Sequence, residues 1–68
     1  MVSKEADQDM IDLISDQMYY DQIDPDLIEK IADKAKEDDD IFESMLKWYR
    51  YPEQKEMILN RFKMIFNY

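Results

Sequence analysis

Glycine, cysteine and histidine are all absent from this 68-residue chain, and proline occurs only twice. Without cysteine there can be no disulfide and no thiolate ligand. Without cysteine and histidine together, the usual zinc ligands are gone, and no metal ligand set is expected. Without glycine, phosphate-cradling loops, dinucleotide fingerprints and tight primed hairpin turns lose the residue they are built on. The commonest residue for closing a helix in the left-handed region is missing too. The sequence therefore predicts helices that end at proline, at runs of charge or at the chain terminus.

The same gaps bear on catalysis. Ser3, Ser15 and Ser44 have no histidine to activate them. The carboxylates are many, but nothing accompanies them as nucleophile or oxyanion site. The expectation is a non-enzymatic chain with no catalytic residues and no cofactor. "KEDDDIFE" and "DQIDPD" cluster acids as calcium sites do, but neither has the spaced acids, central glycine and distal glutamate of an EF-hand loop.

What remains suits one small helical domain spanning residues 1–68. A chain of this length buries only about 60% of its unfolded surface. Its stability must come from helix packing or self-association. No stretch approaches the roughly 20 apolar residues of a membrane span, and "MVSKEADQDM" has no apolar signal core. The expected location is the cytoplasm.

Charge is distributed unevenly. The net charge is −8, but residues 1–46 hold 15 acids and 4 bases, whereas residues 47–68 hold 2 acids and 5 bases. An acidic body therefore precedes a mildly basic tail. Such a body repels nucleic acid, whose phosphates need lysine and arginine. It attracts a protein partner with a basic surface.

Four helical segments can be read from the spacing. The first runs from about Lys4 to Tyr20, with Ser3 as N-cap. Met10, Ile14 and Met18, flanked by Ile11 and Leu13, form its apolar arc. The second starts at Asp24 as N-cap, with Pro25 at the first helical position and Asp26 in the first turn. Ile28, Ile31, Ala32 and Ala35 line its inner face. The third starts near "DDDIF", with Asp39 or Asp40 as cap. Trp48 and Tyr49 fall on its buried side, Arg50 and Tyr51 on its polar side. The fourth takes Pro52 as its first residue and runs toward Tyr68. The expected fold is all-α, a compact bundle of three to four helices. Its expected core is Met10, Leu13, Ile14, Ile28, Ile31, Phe42, Met45, Leu46, Trp48, Ile58, Phe62 and Ile65.

Two surfaces stand out. Along the fourth helix, Met57, Arg61, Met64 and Tyr68 recur at i, i+4, i+7 and i+11, almost opposite the apolar face of Ile58 and Phe62. Methionine adapts to partner surfaces, and arginine and tyrosine are enriched at binding hot spots. Arg50 and Tyr51 are expected to extend this patch, unless the first helix covers it as core. On the first helix, Glu5, Asp9, Asp12 and Asp16 form an acidic stripe with Tyr19 and Tyr20 at its edges. Like charges at this spacing cost a few tenths of a kcal/mol per pair. The plainest reading of the stripe is a solvated face that aids solubility.

The leading expectation is a protein-binding module, an adaptor or inhibitor that occludes a partner through the Met57/Arg61/Met64/Tyr68 face. A second is a nucleic-acid mimic that presents the acidic stripe to a nucleic-acid-binding protein. A third is a homo-oligomer in which the fourth helix pairs with its own copy.

Overall fold

A computed structural model describes residues 4–68, with side chains described from Gln8 onward. The described residues form four α-helices and a 3-10 turn, with no strand. They are α1 (Lys4–Tyr20), α2 (Pro25–Ala35), α3 (Asp39–Arg50), the turn Pro52–Gln54 and α4 (Lys55–Ile65). The all-α bundle expected from the sequence is the fold observed. The expected Ser3 cap lies outside the described residues.

The starts of α2 and α3 and the end of α3 have local causes. The Asp24 carboxylate accepts the Asp26 N–H at 2.9 Å, and Pro25 opens α2 behind it. Pro25 has no N–H to leave unpaired there. The cap of α3 is Asp38, not Asp39 or Asp40: its backbone is extended (φ −120°, ψ 110°) and its carboxylate accepts the Asp40 N–H at 2.9 Å. Asp39 and Asp40 occupy the first turn, where their charge complements the helix dipole. α3 stops before Pro52, as the restricted geometry of a residue preceding proline requires. Tyr51 takes φ −120° and ψ 83° there. Pro52 begins the 3-10 turn rather than the α-helix proper, which starts at Lys55.

Two helices end in a way not expected of a chain without glycine. Gln22 (φ 69°) and Asn67 (φ 54°) both adopt the left-handed conformation. After α1, the Ile23 N–H donates to the Met18 carbonyl (3.0 Å) and the Gln22 N–H to that of Tyr19 (2.9 Å). After α4, the Tyr68 N–H donates to Lys63 (2.8 Å) and the Asn67 N–H to Met64 (3.3 Å). These are paired Schellman bonds, which satisfy carbonyls the helix end would leave open. α4 accordingly closes at Ile65 and does not continue to Tyr68.

α3 is the central element and packs against α1, α2 and α4, while α1 also packs on α2. The buried core is Ile11, Ile14 and Met18 from α1, Leu27, Ile28, Ile31 and Ala35 from α2, Ile41, Met45 and Trp48 from α3, and Ile58 and Phe62 from α4. Met10, Phe42 and Leu46, expected inside, are partly buried against it. Two expected core residues stand outside it, Leu13 at 42% and Ile65 at 50% exposure. Each helical residue turns about 100°. Leu13 is two residues past Ile11 and so points nearly opposite to it. Ile65 is three residues past Phe62, at the edge of the arc that Phe62 centres. Tyr49, expected on the buried side, is also exposed, whereas its neighbour Trp48 is fully enclosed.

Candidate functional site

α4 presents two unlike faces. Ile58 and Phe62 are buried against the rest of the bundle, with Leu59 and Phe66 partly buried beside them. Met57, Arg61 and Met64 lie within about 60° of one another on the far side. α1 does not cover that side: Met57 is 64% and Met64 82% exposed. Exposed Ile65 widens the apolar strip. At one end of the strip, Met57 and Arg61 join Ser44, Lys47, Gln54 and Ile58 in lining a groove of about 200 Å³ between α3 and α4. Arg50 and Tyr51 are exposed at the end of α3 but are not among the residues lining this groove, where Lys47 and Gln54 stand instead.

Tyr68 departs from the expected row. The left-handed Asn67 turns the chain off the helix axis before Tyr68 is reached. Its side chain lines a cleft together with Asp24, at the start of α2. Hydrogen bonding toward the Tyr68 hydroxyl holds the Asp24 carboxyl below its ordinary range, with help from the Asp26 N–H, and the same neighbour pushes the Tyr68 phenol up to about 12. Tyr68 stays 48% exposed and lines a groove with Lys63, Met64 and Asn67, but it lies past the end of α4, so the row on the helix itself is Met57, Arg61 and Met64.

The acidic stripe is on the solvent side of α1. Asp9, Asp12 and Asp16 are exposed, and the side chain of Glu5 lies outside the described residues. Tyr19 and Tyr20 are 60% and 76% exposed, with their rings edge to face at 6.0 Å. The Gln8 amide donates to Asp12 at 3.0 Å. Among the described residues, no lysine or arginine forms an ion pair with Asp9, Asp12 or Asp16. A shallow groove between α1 and α2 is lined by Asp12, Ser15, Asp16, Tyr19 and Glu29 among others. Ser15 Oγ is buried at its edge without a hydrogen-bond partner. No group of three or more acids among the described residues is placed to hold a metal ion.

Lys55 was not legible as a structural residue. Its ammonium sits 4.3 Å from the centre of the Trp48 ring and 2.7 Å from the Asp21 carboxylate. Thirty-four positions separate Lys55 from Asp21, so no local spacing signals the pair. It pins the start of α4 to the end of α1 across the indole. In the stretch between residues 47 and 55, Trp48 is therefore a core anchor and Lys55 covers its ring.

No family model, curated protein or solved structure matches this chain. No helix among the described residues is long and apolar enough to cross a membrane.

Proposed function

We propose that the chain is a small non-enzymatic protein-binding module, an adaptor or inhibitor, that docks through the outer face of α4 and acts by occluding its partner's surface. The observation that carries this reading is the 64% and 82% exposure of Met57 and Met64 on a helix whose opposite face is already buried. Two flexible thioethers flanking an arginine make an adaptable apolar surface with one fixed charge. The test compares proteins captured by the wild-type chain and by Met57→Asp/Met64→Asp, both immobilised and both checked for helicity. Partners retained by the wild type and lost with the variant support the reading. An identical set on both baits removes it.

A second reading is favoured by the exposed aspartates of α1, with which no lysine or arginine among the described residues forms an ion pair: mimicry of a nucleic-acid backbone toward a basic groove. It predicts that captured proteins elute with excess DNA and at moderate salt. Elution that ignores both would dismiss it.

A further inference from the structure

The outer faces of α4 and α1 carry matched rows. On α4 the row is Met57, Arg61, Met64. On α1 it is Leu13, Asp16, Tyr20, with Leu13 42% and Tyr20 76% exposed and Asp16 bare of any cation among the described residues. Read from Leu13, the α1 spacing is three residues and then four. Read backward from Met64, the α4 spacing is also three and then four. Laid antiparallel, the rows set Leu13 against Met64, Asp16 against Arg61 and Tyr20 against Met57. Each apolar group then meets an apolar group, and the arginine meets an aspartate. The Tyr20–Met57 pairing places a thioether on an aromatic ring, a favourable contact. Within one molecule these faces point away from the bundle, so the match can be made only between molecules.

We infer that the occupant of the α4 face is a second copy of this chain, docked head-to-tail by the outer face of its α1. The inference rests on the α4 face being a docking surface, as proposed above, and names its partner. Charge selects this arrangement over the pairing of α4 with α4. Arg61 is midway between the two methionines, so a two-fold antiparallel pairing that overlaid the methionines would bring both Arg61 guanidiniums together. The α1 face offers the opposite sign. The wider distribution points the same way, since residues 1–46 carry 15 acids against 4 bases and residues 47–68 carry 5 bases against 2 acids. Two copies that exchange both contacts close into a dimer, and copies that exchange one extend as a chain.

The test is sedimentation equilibrium of the full chain up to about 1 mM, a weak but measurable range, for the wild type, Met57→Asp/Met64→Asp, Arg61→Glu, Asp16→Lys and an equimolar mixture of the two charge-reversed variants. Both positions are exposed, and circular dichroism checks that both variants keep the fold. The expected result is concentration-dependent association of the wild type that weakens with added salt. Each charge reversal alone weakens it about tenfold or more, and the mixture recovers it. A wild type that is monomeric throughout overturns the inference. So does an Asp16→Lys or Arg61→Glu variant that associates like the wild type, or a mixture that fails to recover. A monomeric chain that still captures partners through Met57 and Met64 would fail this inference alone, whereas capture and association both indifferent to those methionines would fail the α4 docking reading with it.

Discussion

Truncating Phe62 and Met64, two residues apart on one helix, tests the orientation of α4 on which the docking face depends. Phe62 is fully enclosed and Met64 is 82% exposed. Replacing a buried phenylalanine by alanine costs about 3–5 kcal/mol, the transfer of the ring plus the cavity left behind. A domain of 68 residues at about 0.05–0.15 kcal/mol per residue has roughly 3–10 kcal/mol in all. Phe62→Ala therefore removes much of the total and is expected to leave the chain partly unfolded at 25 °C. Phe62→Leu is the measurable version, with an expected loss of about 1–1.5 kcal/mol. At about 4–8 °C per kcal/mol for a domain of this size, that lowers Tm by roughly 4–12 °C. Met64→Ala removes a side chain already in water and is expected to change stability by less than about 0.5 kcal/mol. Thermal and urea unfolding followed by circular dichroism, with Trp48 fluorescence as a second probe, measures all three variants. A loss above about 1.5 kcal/mol for Met64→Ala, or none for Phe62→Leu, would mean that α4 is rotated from the orientation described and that the exposed face does not exist.

Other outcomes follow from particular contacts. Gln22→Gly and Asn67→Gly are expected to raise Tm, each by up to about 1 kcal/mol of stability, because both residues are left-handed and glycine adopts that conformation without steric cost; the gain should be larger at Gln22, since asparagine already tolerates the region. Lys55→Met removes the Asp21 ion pair and the charge over Trp48, for an expected loss of about 1 kcal/mol between partly solvated groups, and urea titrations should show the difference from wild type shrinking at high salt. Asp24 titrates below its ordinary 3.8 in the folded chain, so its contribution is complete above that value and is lost as pH falls through the lowered one. Tyr68 is shifted the other way, from 10.0 to about 12, so its contribution is complete below pH 10 and is lost as pH rises through 12. Absorbance titration should show a late phenol, and Tyr68→Phe should abolish it and return the Asp24 carboxyl toward its ordinary range.

The parts of this protein that were legible in the sequence are those set by neighbours in the chain. Asp24 and Pro25 specify the start of α2 through one side-chain bond and one missing N–H. The rows Ile14/Met18 and Ile58/Phe62 specify which faces turn inward, because helical geometry alone puts them together. The acidic stripe and the Met57/Arg61/Met64 row were visible for the same reason. Small errors came where a local rule has two near-equal answers. Any of three consecutive aspartates could have capped α3, and Asp38 does so because its backbone is the extended one. Leu13 and Ile65 were misplaced because an apolar residue beside a core row is not thereby inside it.

What the sequence by itself determined was the content of helix, its approximate bounds and the absence of cysteine, histidine and glycine chemistry. Only the tertiary structure decided which apolar residues beside the core rows, such as Leu13, Ile65 and Met64, stay outside the core. It placed α3 against the other three helices and left the far side of α4 uncovered. It set Lys55 over Trp48 and against Asp21, and drew Tyr68 off its helix to Asp24. Each of these joins residues distant in the chain, so each depends on how the helices pack, and packing is settled by burial summed over the whole bundle rather than by the spacing of residues along any one helix.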